Sequence, residues 1–233
     1  MTLAPTLIVF DCDGTLVDSQ YLIAEAMRQA FLASELSPPE RADILRTVGL
    51  SIPEAMKRLS PEQLPETREE LCQNYRDCCT FLRRQHGAKE PLFPGAASLL
   101  LNLAARDDVL LGIATGKSRR GVARFIEQND LEGIFSTIQT ADDAPSKPHP
   151  AMLLQAMEMT GASPETTVMI GDTAFDMIMA TCANVASIGV TWGYHSIAEL
   201  KRSSAKTIVR SFAALAHELE DRHPLAARYE AVA

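Results

Sequence analysis

Short apolar runs without alternation recur along the chain, and stretches with a helical spacing of apolar residues separate them. Such runs are typical of strands that are buried on both faces of a parallel sheet. They occupy residues 7–10, 109–114, 136–139, 168–170, 186–190 and 207–209. Helices are predicted between them at residues 95–106, 119–128 and 150–160. This alternation predicts an α/β fold with a doubly wound, mainly parallel sheet.

The segment of residues 17–88 interrupts this alternation, because it shows only helical periodicity. Four of its apolar residues fall on one face of a single helix: Leu71, Tyr75, Cys78 and Leu82. We therefore predict an all-helical domain at residues 17–88, inserted into a core of residues 1–16 and 89–233, with a return linker at residues 87–94. Loops at the carboxyl ends of the core strands are expected to form the functional site.

Length, composition and charge exclude several classes of protein. The 233 residues, 46% of them hydrophobic, are enough to bury a sizeable core. A formal net charge of −8 argues against a surface that neutralises nucleic-acid phosphates or binds anionic lipid. No apolar run reaches about 18 residues, and no basic leader with a cleavage signal is visible. We expect a cytoplasmic protein without a nucleic-acid or membrane partner, and with its five cysteines reduced.

Acidic residues follow two of the predicted strands. Asp11 and Asp13 emerge from the first strand into a glycine-containing turn, where one carboxylate can attack a substrate while the other handles protons. Asp172 and Asp176 follow the strand at residues 168–170, although Asp172 could also be a helix cap. Clustered carboxylates raise each other's pKa values unless a cation compensates, and hard oxygen ligands suit Mg²⁺. A metal is therefore expected.

Two further strand-end segments carry groups that suit a phosphate. Thr115 and Gly116 precede a helix, where a hydroxyl and free backbone N–H groups can bind an anion, although such a pair also makes an ordinary helix entry. Lys147 supplies an ammonium, with a solvated surface lysine as the alternative. Four basic residues near Thr115 either attract an anionic substrate or form a solvated helix face, and we favour the solvated face: Lys117, Arg119, Arg120 and Arg124.

The chain order of these strand-end motifs resembles that of the haloacid dehalogenase superfamily, and the resemblance covers nearly the whole chain. The sequences DCDGTLVDS and GDTAFD resemble its first and fourth motifs. The chain is most similar to the phosphoglycolate-phosphatase-like branch, whose helical cap is inserted between the first and second motifs. Residues 17–88 occupy that place. The resemblance implies a Rossmann-like core and a magnesium-dependent phosphatase. It also implies that a small phosphorylated metabolite is hydrolysed through an aspartyl-phosphate intermediate.

The resemblance further implies a role for each motif residue. Asp11 is implied as the nucleophile and Asp13 as the general acid/base, with Thr115 and Lys147 completing the catalytic set. The implied substrate-binding residues are Gly14, Thr115, Gly116 and Lys147. The implied magnesium ligands are Asp11, Asp13 through its backbone carbonyl, and Asp172, with Asp176 in support. A loop at residues 49–53 resembles the cap loop through which family members touch their substrate, or is an ordinary helix–helix turn.

Other functions share much of this pattern. A β-phosphoglucomutase-like phosphomutase and a non-catalytic, phosphate-sensing or phosphate-binding member of the fold are the main alternatives. Dehalogenation is disfavoured because dehalogenases of this family lack the second aspartate, here Asp13. Phosphonate cleavage needs a Schiff-base lysine, for which Lys57 and Lys89 are poor candidates. Phosphoglycolate, a sugar phosphate and a nucleotide stay open as substrates, and the oligomeric state stays open as well.

Overall fold

Six parallel strands form one sheet in the computed structural model, which describes residues 5–86 and 90–222. The strands are β1 (Thr6–Phe10), β2 (Val109–Thr115), β3 (Phe135–Thr140), β4 (Thr167–Gly171), β5 (Ala186–Val190) and β6 (Thr207–Val209). Their order in the sheet is β3-β2-β1-β4-β5-β6. Chain order therefore reverses at β1, which pairs with β2 on one side and with β4 on the other. Such a switch point opens a crevice at the carboxyl ends of the strands.

Helices cover both faces of this sheet. Those that belong to the strand–helix alternation are α5 (Ala96–Ala104), α6 (Arg119–Gln128), α7 (Ala151–Thr160), α8 (Ala174–Cys182), α9 (Ile197–Arg202) and α10 (Phe212–Arg222). On β1, Ile8 and Phe10 pack into one cluster with α5, α6 and α10, whereas Leu7 and Val9 pack into another with α7 and α8. Both faces of β1 are buried, as its uninterrupted apolar sequence predicts. The predicted doubly wound α/β fold is thus confirmed.

Four helices fill the segment between β1 and α5, and they pack mainly on each other. They are α1 (Gln20–Ala33), α2 (Arg41–Leu45), α3 (Ile52–Leu59) and α4 (Pro65–His86). On the predicted face of α4, Leu71 and Leu82 are buried in two separate clusters, while Tyr75 and Cys78 pack against them half-buried. The three thiols of α4 serve as packing groups, and all five cysteines are free.

Two connecting segments join these helices to the sheet, and they are hydrogen-bonded to each other. Asp18 N donates to Pro91 O at 2.9 Å, and Phe93 N donates to Leu16 O at 2.9 Å. The predicted return linker begins at residues 87–89, which lie outside the described residues, as does the candidate Lys89. Within residues 5–86 and 90–222, no helix is long and apolar enough to cross a membrane.

Candidate active site

Asp11 lies at the carboxyl end of β1, at the switch point of the sheet. Its backbone N–H donates to Ile170 O, which ties the end of β1 to β4, and its side chain is fully buried. Asp11 Oδ1 is 2.9 Å from Lys147 Nζ, and Oδ2 has no hydrogen-bond partner in the described part of the chain. Burial raises the pKa of Asp11 to about 6, with Asp176 adding to the rise and Lys147 opposing it.

Two further acids flank Asp11: Asp172 in the loop after β4, and Asp176 in the first turn of α8. Asp176 Oδ1 accepts a hydrogen bond of 2.6 Å from Lys147 Nζ, and its Oδ2 accepts from Thr173 N and Thr173 Oγ1. The N-cap of α8 is therefore Thr173, in a capping box with Asp176, and the alternative that Asp172 is the helix cap is wrong.

Asp172 makes its own polar contacts. It accepts from Thr15 Oγ1 at 2.9 Å and from Tyr194 N at 2.8 Å. Burial, followed by the charges of Asp11 and Asp176, raises its pKa well above the ordinary value.

The three acids form a buried cluster that one ammonium does not neutralise. Asp11, Asp172 and Asp176 each contribute one carboxylate oxygen, and these oxygens lie within 4.8 Å of one another. Lys147 is their only ion-pair partner in the described residues, and its side chain is itself fully buried. Burial lowers the pKa of Lys147, but the two neighbouring carboxylates outweigh this effect and raise it overall. The interpretation of Lys147 as a solvated surface lysine is therefore wrong.

This cluster fits a hard divalent cation. All of its donor atoms are carboxylate oxygens, and the unpartnered Asp11 Oδ2 is the kind of buried group that a bound ion satisfies. Two glycines leave room for Asp172, because a Cβ atom at Gly14 or at Gly193 would clash with its carboxylate. Gly14 also has a φ of +87°, which disfavours any other residue there.

Asp13 lies beside this cluster and has a different partner. Its Oδ1 accepts a hydrogen bond of 2.6 Å from Lys117 Nζ, which also lies 3.1 Å from Glu90 Oε2. Glu90 in turn accepts from Arg83 of α4 at 2.5 Å. The Lys117 side chain is only 8% exposed, so the solvated-face interpretation is wrong for this residue. It is correct for Arg119, which is 63% exposed.

Burial and charge act in opposite directions on two members of this chain of ion pairs. Burial lowers the pKa of Lys117, but Asp13 and Glu90 raise it overall. Burial raises the pKa of Glu90, but the cations Lys117 and Arg83 outweigh it, and the net pKa is below the ordinary value. Both groups are therefore held in their charged forms at neutral pH.

The segment after β2 meets the loop between α2 and α3. Thr115 Oγ1 accepts from Lys117 N at 3.2 Å, which fixes the turn before α6. A Cβ atom at Gly116 would clash with the carbonyl oxygen of Leu50, so the predicted loop at residues 49–53 lies directly against this turn. Its last two residues, Ile52 and Pro53, already belong to α3. Ser51 N donates to Ser146 Oγ at 2.8 Å, next to Lys147. The loop thus contacts two of the strand-end segments.

A cavity of about 210 Å³ separates the helical segment from the ends of the strands. Asp13, Thr115 and Gly116 line it from the side of the sheet, and the apolar side chains of Leu22, Met27 and others line it from the helical side. The predicted residues thus fall into two adjoining groups. Asp11, Lys147, Asp172 and Asp176 form the buried cluster, and Gly14 lies against Asp172. Asp13, Thr115 and Gly116 line the cavity.

Several residues in the site were not predicted from the sequence: Thr15, Glu90, Lys117 in contact with Asp13, Thr173, and the Gly193–Tyr194 backbone. For Thr173 a signal exists, because Thr-x-x-Asp before an apolar run is typical of a capping box. The segment Trp192–His195 follows β5. In the structure, Trp192 Nε1 donates to Thr15 O, and Tyr194 N binds Asp172.

The fold and the site together define a class of protein: a doubly wound α/β protein with a buried acid cluster at the carboxyl ends of neighbouring strands. Residues 8–190 match the model of the family described as haloacid dehalogenase-like hydrolase. The chain belongs to this family, which confirms the resemblance found in the sequence.

Named relatives and a solved structure agree with this assignment. The chain is 35% identical to a probable phosphatase IndB of Dickeya dadantii, over 88% of this chain and 90% of the relative. It is 30% identical to a phosphoglycolate phosphatase of Photorhabdus laumondii, over 89% of each chain. The crystal structure of a hydrolase from Pseudomonas syringae superposes with a TM-score of 0.82 at 28% identity, covering 93% of this chain and 98% of that one.

Proposed function

We propose that the protein is a magnesium-dependent phosphatase that hydrolyses a small phosphorylated metabolite through a phosphoryl-aspartate on Asp11. The observation that carries this proposal is the buried cluster of Asp11, Asp172 and Asp176 around a single lysine, with Asp13 beside it at the floor of a cavity. Family membership and the names of the two relatives support it.

Asp11 is the nucleophile, and the site keeps it ionised. Its pKa of about 6 leaves the carboxylate charged at neutral pH, and Lys147 at 2.9 Å stabilises that charge. Attack on phosphorus forms an acyl phosphate and releases the substrate alcohol, so a difficult hydrolysis becomes two easier displacements. Lys147, Thr115 and the backbone N–H of Gly116, together with the turn at Gly14, hold the phosphoryl oxygens, over which charge spreads in the transition state.

Asp13 transfers the protons. It faces the cavity, where the leaving group lies, and it protonates the departing oxygen in the first step. In the second step it takes a proton from the water that cleaves the acyl phosphate. Lys117 holds this carboxylate in place, with Nζ 2.6 Å from Asp13 Oδ1.

Asp11, Asp172 and the backbone carbonyl of Asp13 would hold the metal, with Asp176 in support. When bound, Mg²⁺ supplies positive charge that reduces the repulsion between a carboxylate nucleophile and a phosphate dianion. Residues 17–88 act as a cap over the core of residues 1–16 and 89–233. Through the loop at residues 49–53, this cap excludes water from the reaction.

Phosphate release from p-nitrophenyl phosphate, with and without Mg²⁺, tests the proposal. Asp11→Asn should lower turnover by at least about 10³-fold, as loss of a nucleophile does in other enzymes. Asp107→Asn, at an exposed acid in the turn between α5 and β2, is the matched control and should retain turnover.

Two further readouts address the intermediate and the metal. Acid quenching during turnover should leave phosphate bound to the wild-type protein but not to Asp11→Asn. Calorimetry should detect Mg²⁺ binding that Asp172→Asn weakens. Turnover that survives Asp11→Asn would remove the proposed nucleophile.

A further inference from the structure

The cavity above the site has a strongly basic wall, although the chain as a whole is acidic. Five cationic side chains line it: Arg76, Arg83, Lys117, Arg120 and Arg124. Its two acidic side chains are Asp13 and Glu90, which gives the lining a formal charge of +3 on a chain whose net charge is −8. Clefts lined by one sign of charge concentrate ligands of the opposite sign.

Only part of this positive charge is neutralised within the protein. Lys117 is paired with Asp13 and Glu90, and Arg83 is paired with Glu90. Within the described ranges, Arg120 and Arg124 make no ion pair. Arg119, one residue before Arg120 on α6, is not among the residues that line the cavity and is paired with Asp143. Arg120 and Arg124 line the cavity from α6, and Arg76, which likewise has no ion pair among the described residues, lines it from α4. Arg76 and Arg120 are exposed, whereas Arg124 is half-buried.

Arg124 is held close to other cations in a partly buried position. Burial lowers its pKa, and the charge of Arg83 across the cavity lowers it further, against the opposing effect of Glu90. Grouping like charges around a cavity is unfavourable unless an anion binds among them. Arginine side chains also offer only hydrogen-bond donors, so this wall matches a ligand group that only accepts.

We propose that Arg120 and Arg124 of α6, opposite Arg76 and Arg83 of α4, form a subsite for a second anionic group on the substrate. This inference rests on the proposed phosphatase function. The preferred substrate then carries its phosphoryl group at Asp11 and a carboxylate or second phosphoryl group on the leaving side. The cavity of about 210 Å³ is smaller than the about 300–1,000 Å³ of typical ligand pockets, which favours a leaving group smaller than a nucleoside or a sugar.

Steady-state kinetics on matched substrates test the subsite. Phosphoglycolate carries a carboxylate, pyrophosphate carries a second phosphoryl group, and 2-hydroxyethyl phosphate carries a neutral hydroxymethyl group in the same place. We expect kcat/KM of the wild-type protein to be at least about 10-fold higher for one or both acidic substrates than for 2-hydroxyethyl phosphate, because the neutral substrate lacks a charged hydrogen bond to the subsite. The acid that is preferred identifies which anionic group the subsite accepts.

Variants then assign the preference to residues. Arg120→Gln and Arg124→Gln should each reduce the ratio of kcat/KM between acidic and neutral substrates by about 3–10-fold, and Arg124→Lys should retain part of it. Arg119→Gln is the matched control on the same helix and should leave the ratio unchanged. A wild-type ratio near 1, or a ratio that both glutamine variants preserve, would overturn the subsite while leaving the phosphatase function intact.

A binding measurement makes the result independent of turnover. Calorimetry with the Asp11→Asn protein should show tighter binding of phosphoglycolate than of 2-hydroxyethyl phosphate, and the additional Arg124→Gln substitution should remove the difference. Equal binding of the two compounds would refute the subsite even if no substrate were hydrolysed, whereas failed hydrolysis with selective binding would refute the proposed function alone.

Discussion

Replacing Lys117 with methionine isolates the buried ion pair that holds Asp13. Methionine keeps most of the length of the side chain but removes the ammonium, which lies 2.6 Å from Asp13 and 3.1 Å from Glu90. Glu90 retains Arg83 as a partner, so the uncompensated charge falls on Asp13. The substitution should therefore destabilise the protein through an orphaned carboxylate and not through lost packing.

The expected magnitude follows from burial. Breaking a buried pair by removing one partner costs about 3–5 kcal/mol, because the other charge is left in a medium of low polarity. The side chains of Lys117 and Asp13 are 8% and 12% exposed, so some relief by water is possible and we expect the lower end of the range. A loss of about 3 kcal/mol in the free energy of unfolding raises the unfolded fraction on the order of 10²-fold.

Urea denaturation followed by circular dichroism measures this loss. Arg119→Met removes a cation at the same end of α6 whose partner is Asp143, but with 63% of the side chain exposed. This control should cost no more than about 1 kcal/mol. In the Lys117→Met/Asp13→Asn double variant, part of the loss should be recovered, because no orphaned charge remains. A loss below about 1 kcal/mol for Lys117→Met would refute the reasoning that this pair is buried and unscreened.

Three further predictions concern the acid cluster and the linker. Gly193→Ala should weaken Mg²⁺ binding and lower turnover by at least about 10-fold, measured by calorimetry and phosphate release, because the added methyl group displaces the Asp172 carboxylate. Thr15→Val removes a hydroxyl that donates to Asp172 and should weaken Mg²⁺ binding by about 10–100-fold, and an unchanged affinity would contradict this. Thr181→Val, at an exposed threonine of α8, is the control. Glu90 has a lowered pKa, so its stabilising effect is complete above its ordinary value of 4.5 and is lost as pH falls through the lowered pKa. In urea denaturation at a series of pH values, Glu90→Gln should therefore lose less stability on acidification than the wild-type protein, and parallel losses would disprove the effect.

The fold was largely predictable because its signals are local. Apolar runs without alternation, such as residues 7–10 and 168–170, mark strands with two buried faces, and the structure pairs these strands in parallel. Acids at the ends of such strands must meet at one edge of the sheet. Asp11, Asp172 and Asp176 meet there, and Lys147 joins them. The parallel pairing follows from the period of the backbone, and the meeting of the acids follows from where each strand ends, whereas the burial of Lys147 among them does not.

The partner of each charge was decided only by the tertiary structure. Lys117 and Asp13 are 104 residues apart, and Glu90 reaches Lys117 from the predicted linker, where no sequence pattern distinguishes it. Along α6, Arg119 faces solvent while Arg124 faces the cavity, and this difference arises because the inserted helices cover one side of α6. By itself, the sequence determined which segments form strands and helices, and which reactive groups stand at the strand ends. The packing of the inserted segment against the sheet determined which charges are buried, because burial and pairing depend on contacts between residues far apart in the chain.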